Sequence, residues 1–301
     1  MPTPRDVRSA AEIALKKPGR DASQSEIAFF GGSFTAIGRD DMVSLLEAAA
    51  PYVRSGGFSG IRISTRPDCI DEEILGVLRH YGVTTIELGA QSMDDDVLAL
   101  NGRGHTAEQT ARASEFIRSR GFTLGLQMMT GLPGDTAEGA HRTAERIAAL
   151  RPSCVRIYPT VVLKGTRVGG WFQNGTYRPQ TLEEAVELCA GLLDFFEARG
   201  IPVIRLGLHA SPELESDRLA GPWHPAFREL CESRRMLRAI LKELKTGSLS
   251  SGEIRVGVSP SGVSAATGQK KENLHKLTQL GYTVKIVPDS SVPRGKCRIE
   301  S

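Results

Sequence analysis

Long apolar stretches are absent from this chain of 301 residues. No apolar run approaches the ~18 residues that a membrane-spanning helix needs. The first twenty residues also lack the apolar core of a signal peptide, because Ile13, Ala14 and Leu15 lie among charged residues. We therefore predict a cytoplasmic protein with no membrane partner. The apolar content of 40% and the charged content of 24% are ordinary for globular proteins and exclude wholesale disorder.

Closely spaced cysteines are absent as well. The five cysteines lie far apart, at positions 69, 154, 189, 231 and 297, and no C-x-x-C or C-x-x-x-C occurs. Local spacing therefore provides neither a zinc site nor a cluster-binding motif, and we predict no metal site. An odd number of scattered cysteines is typical of reduced, mostly buried thiols. His105 lies in a glycine-rich loop and is interpreted as a loop or cap residue.

Glycine is abundant, and charge is unevenly distributed. Glycine accounts for 32 residues, which suits many strand-to-helix corners and close approaches of the backbone to a ligand. Residues 234–301 contain thirteen Lys and Arg but only five Asp and Glu, whereas residues 1–233 contain 25 and 30 respectively. This asymmetry predicts an acidic body attached to a basic module with an anionic partner.

Residues 26–210 alternate between short apolar strands and amphipathic helices. This order predicts parallel β–α units with right-handed crossovers. The predicted strands are Ile27–Phe30, Ile61–Arg66, Thr85–Ala90, Thr123–Met129, Cys154–Val162 and Pro202–Leu208. The predicted helices are Asp71–His80, Thr106–Arg120, Thr136–Leu150 and Leu182–Arg199, and a glycine or a proline follows each of them.

Alternate residues along five of these strands are polar or small. Examples are Arg62, Glu87, Gln127, Arg156 and Arg205, and the positions between them are Ile, Leu, Met or Val. Because successive side chains point to opposite faces of a strand, the sheet has one apolar and one polar face. Neither a sheet covered by helices on both faces nor a packed barrel interior shows this pattern. The pattern favours helices outside and a polar cavity inside; the alternative is a buried network whose polar side chains satisfy one another.

Each of the first five strands ends in a distinctive motif, at the edge where parallel sheets bind ligands. In chain order the motifs are Gly31-Gly32-Ser33-Phe34-Thr35, Ile63-Ser64-Thr65-Arg66-Pro67-Asp68, Gly89-Ala90-Gln91-Ser92, Gly131-Leu132-Pro133-Gly134-Asp135-Thr136 and Arg156-Ile157-Tyr158-Pro159. Across about residues 2–235 this set resembles the radical S-adenosylmethionine (radical SAM) superfamily. The branch most similar is that of the Elongator catalytic subunit, with similarity also to oxygen-independent coproporphyrinogen oxidase. The resemblance implies an α/β fold, a partial (β/α)6 parallel barrel.

The resemblance also implies that S-adenosylmethionine (SAM) is a cofactor. Carried over position by position, the motifs assign the cofactor-binding roles as follows: backbone contacts to the methionyl amino group from Gly31, Gly32 and Ser33; polar contacts to the ribose and carboxylate from Arg66, Glu87 and Gln91; contacts near the adenine from Gly131 and Leu132. The alternative for Arg66 and Glu87 is an internal ion pair, which is compatible with ligand binding.

One element of the family pattern is missing. The family binds a [4Fe–4S] cluster through a C-x3-C-x2-C loop after the first barrel strand, and this chain has no such motif. Its opening Pro2–Val7 resembles the segment just downstream of that loop, so we expect the first strand and the cluster loop to be missing from a truncated chain that binds no cluster. A complete member would use an electron donor to reduce SAM at the cluster and generate a 5′-deoxyadenosyl radical.

Three functions are therefore open. The first is a radical SAM protein that modifies RNA or a bound metabolite. The second is a non-catalytic RNA- or nucleotide-binding pseudoenzyme that kept the barrel without the cluster. The third is an ordinary metal-free barrel enzyme, which a polar lumen permits although no acid–base pair specifically supports it.

The basic C-terminal region predicts a helix at Arg234–Lys245, a Gly/Ser linker and a small α/β module. We accordingly place the domains at 1–233, 234–252 and 253–301. The segment Gly268-Gln269-Lys270-Lys271 resembles the backbone-clamping G-x-x-G loop of KH-type RNA-binding modules, with Lys271 replacing the second glycine. The residues predicted to contact RNA are Gly268, Lys270, Lys271 and Lys276. The predicted partner is a structured RNA such as tRNA. The alternative is a structural cap whose basic residues are solvated.

Overall fold

The computed structural model describes residues 2–17, 21–247 and 251–300, which form two compact units. The first unit comprises Met1–Tyr158 and Arg199–Arg205, and the second comprises Pro159–Ala198 and Leu206–Ser301. The helices are α1 (Pro4–Leu15), α2 (Arg39–Arg54), α3 (Glu72–His80), α4 (Asp95–Leu100), α5 (Ala107–Ser119), α6 (Ala137–Ala149), α7 (Arg167–Gln173), α8 (Leu182–Glu197), α9 (Pro212–Asp217), α10 (Phe227–Thr246), α11 (Val263–Thr267) and α12 (Glu272–Gln279). The strands are β1 (Glu26–Phe29), β2 (Gly60–Thr65), β3 (Val83–Gln91), β4 (Thr123–Thr130), β5 (Cys154–Pro159), β6 (Val162–Leu163), β7 (Val203–Leu206), β8 (Arg218–Ala220), β9 (Gly252–Val258), β10 (Tyr282–Pro288) and β11 (Cys297–Glu300).

Six strands form one sheet, in the order β1-β2-β3-β4-β5-β7. Strands β1 to β4 pair in parallel, and their aliphatic residues are in register, as in the pairing of Ile63 with Ile86 and of Leu88 with Leu126. Those four side chains are at most 1% exposed, and helices α2, α3, α5 and α6 contact the strands that carry them. The predicted β–α alternation is confirmed.

This sheet is strongly curved. Arg156 on β5 lies with its guanidinium carbon 4.4 Å from the ring centroid of Phe30, which directly follows β1. In a flat sheet β1 and β5 would be four strand spacings apart, ~19 Å, which is beyond the reach of an arginine. The polar face is therefore concave and the apolar face carries the helices, so the predicted partial parallel barrel is confirmed.

The helices begin where side chains satisfy their first backbone N–H groups. Asp71 caps α3 by accepting a hydrogen bond from the Ile74 N–H at 2.8 Å, and Thr106 forms a capping box with Gln109 at the start of α5. The predicted strand Cys154–Val162 is wrong in its length. It ends at Pro159, and Val162 pairs antiparallel with Ala220 of β8 instead.

In the second unit, α10 begins at Phe227 rather than at the predicted Arg234. One face of α10 forms an apolar core with the C-terminal strands, and that core includes Met236, Ile240 and Val256. On its other face, arginines form ion pairs with α8; the residues are Arg234, Arg235 and Arg238 with Glu183, Glu187, Asp194 and Glu197. Residues 248–250 of the predicted linker lie outside the described residues.

The C-terminal module contains a three-stranded sheet in the order β10-β9-β11, in which β10 is parallel and β11 antiparallel to β9. Helices α11 and α12 connect β9 to β10, and the loop Gly268–Lys271 lies between the two helices. The predicted small α/β module is confirmed. None of the described helices is long and apolar enough to cross a membrane, and the cytoplasmic location stays a prediction.

Candidate functional site

The loop after β1 presents open backbone at the carboxyl end of the sheet. Gly31 has a φ of +103°, a conformation that glycine adopts without strain. A Cβ added at Gly31 or at Gly32 would meet nothing within 4 Å, so space lies beside both residues. Phe29 and Phe34 anchor the loop from the core, because both are buried and their rings stack at 4.7 Å. The backbone of Gly31 and Gly32 is thus open to a ligand, whereas the Ser33 carbonyl already accepts a hydrogen bond from the Ala36 N–H at 3.0 Å.

Thr35 fastens this glycine loop to the neighbouring strand. Its hydroxyl donates to the carbonyl of Cys69 at 2.6 Å and lies 2.6 Å from the hydroxyl of Thr65, which then donates to it. Thr35 belongs to the glycine motif, and the motif alone assigns it no role. The two bonds explain why a hydroxyl residue follows the glycines: it holds the loop on the end of β2.

Glu87 lies at the centre of a hydrogen-bonded network on the concave face. Its carboxylate accepts from Arg62 Nη1 at 2.7 Å, from Arg156 Nε at 2.6 Å and Nη2 at 3.0 Å, and from Gln127 Nε2 at 2.9 Å. Four donors match the four lone-pair positions of a carboxylate, and the Glu87 side chain is 1% exposed. The network alternative therefore describes the middle of the polar face, and Glu87 positions the two arginines rather than presenting a free oxygen.

Glu26 extends this network to β1. Its carboxylate pairs with Arg62 Nη2 at 2.5 Å and accepts from the hydroxyls of Thr84 at 2.9 Å and Thr85 at 2.5 Å. Burial alone would raise the pKa of Glu26, but the threonine hydrogen bonds and the charge of Arg62 outweigh it and lower the pKa. Arg62 is consequently held between two carboxylates.

Arg66 lies at the rim and pairs with its own neighbour. Its guanidinium binds Asp68 through Nε at 2.9 Å and Nη2 at 2.5 Å, and 44% of its side chain is exposed. Both Arg66 and Glu87 are therefore in ion pairs, although not with each other. The hydrogen bond to Asp68 raises the pKa of Arg66, and its exposed part still faces solvent at the end of β2.

The remaining predicted cofactor residues end β3 and β4. Gln91 is half-buried and has a φ of +62°, an uncommon conformation for a residue other than glycine. Gly131 is half-buried with a φ of +69°. Leu132 is 2% exposed, so its side chain belongs to the core. The structure thus brings Gln91 and Gly131 to the same edge as the glycine loop and places the Leu132 side chain beneath it.

Arg103 is a rim residue that no sequence motif predicted. Its loop crosses the ends of three strands: Gly104 lies against Arg66 of the segment after β2, His105 Nε2 lies 3.1 Å from the carbonyl of Ala90 on β3, and Arg103 Nη2 lies 3.1 Å from Met129 Sδ on β4. Among the described residues Arg103 has no acidic partner, and its buried Nε has no hydrogen-bond acceptor.

An unpaired, half-buried guanidinium is costly, because burial disfavours the charged form, and burial lowers the pKa of Arg103. An anionic group bound at the rim would relieve this cost. The sequence offers one hint of this unpaired charge: the loop that carries Arg103 contains no Asp or Glu. His105 is buried and hydrogen-bonded to backbone, as expected for a loop residue.

The cysteines do not form a cluster-binding set among residues 2–17, 21–247 and 251–300. No three His, Cys, Asp or Glu side chains in these ranges are grouped to hold a metal ion. Cys154, Cys189 and Cys231 are buried and Cys69 and Cys297 half-buried, and burial raises the pKa of Cys297 to about 11. A [4Fe–4S] cluster needs thiolates held close together, so the described thiols do not fit one.

The loop before α12 has an unusual backbone. Lys270 and Lys271 are both exposed and both left-handed, with φ of +51° and +63°. Gly268 has a φ of +77°, and a Cβ there would lie 2.8 Å from the Asn273 nitrogen. Asn273 is buried and donates to Ser233 and Ala265, which fixes the loop. Lys276 lies within α12 and forms an ion pair with Glu272 of the same helix at 2.7 Å.

The fold and the candidate site define a class: a half-barrel of parallel strands with open glycine backbone at their carboxyl ends and, among the described residues, an arginine without an acidic partner at the same edge. Two protein-family models match the chain, the Radical SAM superfamily over residues 2–147 and the Radical_SAM C-terminal domain over residues 152–238. The chain belongs to the radical SAM superfamily, as its motifs predicted. Membership implies SAM and a [4Fe–4S] cluster as the cofactors of the family.

Curated relatives share about a third of their length with this chain. The tRNA uridine(34) acetyltransferase of Methanocaldococcus jannaschii is 33% identical over 194 residues, 58% of this chain and 36% of that protein. Elongator complex protein 3 of Mus musculus is 29% identical over 202 residues, 60% of this chain and 36% of that protein. The solved structure of Methanocaldococcus infernus Elp3 with an N-terminal deletion (1–46) has a TM-score of 0.63 at 22% identity, covering 82% of this chain and 59% of that one, which shows a common fold.

Proposed function

We propose that this chain is the SAM-binding half-barrel and RNA-contacting module of a radical SAM protein that modifies RNA, with a tRNA-like molecule as substrate. The observation that carries the proposal is the unpaired Arg103 at the rim that also holds the open glycine loop. SAM contains a carboxylate that would neutralise such a cation. The names of the relatives, tRNA uridine(34) acetyltransferase and Elongator complex protein 3, support RNA as the substrate class.

Each rim residue has a role that follows from its surroundings. The backbone of Gly31 and Gly32 would bind the methionyl amino group, and the Arg103 guanidinium would bind the carboxylate. Arg66 and Gln91 border the same space with polar atoms. Glu87 acts indirectly, because it fixes Arg62 and Arg156 below the rim. Bound SAM would supply the radical chemistry of the family, while the chain binds, orients and shields it.

The thiols do not fit a cluster, so no reaction step is assigned to one. That disagreement favours a second candidate function, a non-catalytic protein that binds RNA or a nucleotide through the same rim and module. Catalysis by this chain would require cluster ligands and an electron donor beyond the residues described. The two candidates share the binding site and differ only in chemistry.

RNA binding is proposed for the C-terminal module. The arginines of α10 pair with acidic residues of α8 and are therefore not counted here. Residues 253–300 still contain eight Lys and Arg against four Asp and Glu. Lys270 and Lys271 project from a loop that Gly268 and Asn273 fix, next to the uncapped start of α12. Free N–H groups at a helix start and neighbouring lysines attract phosphate, and phosphate neutralisation releases counterions.

Calorimetry with S-adenosylhomocysteine tests the cofactor site. Arg103→Met should weaken binding by about 10- to 150-fold, since a hydrogen bond to a charged group contributes about 1.5–3 kcal/mol. Gly32→Val should also weaken it, because the valine would fill the open space beside the loop. The matched control is Arg142→Met, which removes an exposed arginine from α6. Equal affinity of Arg103→Met, Gly32→Val and wild type would remove both residues from the site.

A salt series with folded tRNA tests the module. The double variant Lys270→Glu/Lys271→Glu should bind more weakly than wild type and with a shallower dependence on salt. The control Lys16→Glu/Lys17→Glu makes the same charge change on exposed lysines at the end of α1. An affinity that neither salt nor the Lys270/Lys271 change alters would leave the module a structural cap.

A further inference from the structure

Phe30 is an exposed aromatic residue at the edge of the concave polar face. Its side chain follows Glu26 and Ala28 on the concave face of β1 and precedes Gly31. The residue is 47% exposed, although its neighbour Phe29 is buried. Such exposure of a large apolar ring costs free energy unless a partner covers it.

The Phe30 ring rests on a rigid support. The Arg156 guanidinium carbon lies 4.4 Å from its centroid, which is a cation–π contact. Arg156 is immobilised because it makes two hydrogen bonds to Glu87, and 15% of its side chain is exposed. Phe29 fixes the backbone beside it by stacking on Phe34. The ring is therefore held in one orientation while nearly half of the residue stays open to solvent.

We propose that Phe30 is a stacking platform for a nucleobase bound at the rim. The inference rests on the proposed function and adds a recognition element to the same site. A flat heteroaromatic ring fits because its edge groups would meet the open backbone of Gly31 and Gly32 while its face covers Phe30. An aliphatic ligand would bury the ring but could not hydrogen-bond to the open backbone of the glycine loop.

Two molecules could supply the base: the adenine of the cofactor or an unstacked base of the RNA substrate. Both share the chemistry that the site recognises, a planar ring with hydrogen-bonding edges. Base–aromatic stacking contributes enough that removing the aromatic ring weakens binding by about 5- to 150-fold. That loss is measurable in equilibrium binding, without any turnover.

The test uses the full chain and three variants. Phe30→Leu removes the ring but keeps an apolar side chain, and Phe30→Trp keeps an aromatic ring of larger area. Ile13→Ala is the control, because Ile13 is an exposed apolar residue of α1, 68% exposed. The probes are S-adenosylhomocysteine and a single-stranded uridine octanucleotide, and melting curves verify that each variant is folded.

Weaker binding of S-adenosylhomocysteine alone to Phe30→Leu, restored in Phe30→Trp, would assign the platform to the cofactor adenine. Weaker binding of the oligonucleotide alone, with the same restoration, would assign it to the substrate base. If Phe30→Leu binds both probes as wild type does while Gly32→Val or Arg103→Met weakens S-adenosylhomocysteine binding, the stacking proposal is overturned and the proposed function stands. If the wild type bound neither S-adenosylhomocysteine nor the oligonucleotide, the stacking proposal and the proposed function would both be overturned.

Discussion

Replacing Glu87 with glutamine tests whether the charged network holds the half-barrel together. The substitution removes the only carboxylate that contacts Arg156 among the described residues, whereas Arg62 keeps Glu26. Glu87 and the two arginines that contact it are poorly exposed, at 1% for Glu87, 15% for Arg156 and 18% for Arg62. Breaking a buried ion pair by removing one partner costs about 3–5 kcal/mol, because the other charge stays buried. For a chain of 301 residues, whose unfolding entropy is about 0.6 kcal/mol/K, we expect Tm to fall by roughly 5–8 °C.

Thermal and urea unfolding provide the assay, with Glu73→Gln as the control. Glu73 pairs with Arg39 on the surface, where the side chains are 76% and 43% exposed, and exposed pairs contribute about 0–1 kcal/mol. The double variant Glu87→Gln/Arg156→Met should recover part of the loss, since neither charge is then left unpaired. If Glu87→Gln costs no more than Glu73→Gln, the network does not carry the stability assigned to it.

Three further predictions concern pH, backbone and metal. Because the folded-state pKa of Glu26 is lowered, its contribution to stability is complete above the unfolded pKa of about 4.5 and disappears as pH falls below it; Glu26→Gln should therefore flatten the loss of Tm between about pH 5 and pH 3. Gly268→Ala should destabilise the C-terminal module by about 1–3 kcal/mol in urea unfolding, more than Gly295→Ala, which has a similar φ of +76° but no neighbour within 4 Å; equal costs would mean that the contact with Asn273 is unimportant. Anaerobic reconstitution with iron and sulfide should leave the chain without the visible absorbance of a [4Fe–4S] cluster, and about four irons per chain would contradict the assignment of the thiols.

The alternation of polar and apolar residues allowed the curved sheet to be predicted, because strand geometry translates a period of two directly into two faces. Arg62, Glu87, Gln127 and Arg156 do meet on one face. What alternation does not specify is how those side chains divide their hydrogen bonds. Glu87 was expected to contact a ligand, and only the structure shows that four donors already occupy it.

Residues whose importance lies in a missing partner were harder to predict. Arg103 looked like any loop arginine, because the absence of a carboxylate around it is a property of three-dimensional packing. The basic character assigned to residues 234–301 was partly misplaced for the opposite reason. Arg234, Arg235 and Arg238 count as positive charge in the sequence, yet in the fold acidic residues of α8 neutralise them.

Helix α10 also determines which parts of the second unit should open together. Its apolar face supplies Met236, Leu237 and Ile240 to the core of the C-terminal module, and its arginines hold it on α8. Segments that share a core usually exchange their amide hydrogens as one cooperative unit. The amides of β9 should therefore exchange together with those of α10. They should not exchange in a separate opening of the module that begins at the linker. A fragment cut at residue 252 would lose the helix against which the sheet packs, so a fragment that keeps this core has to include the part of α10 from Met236 onward.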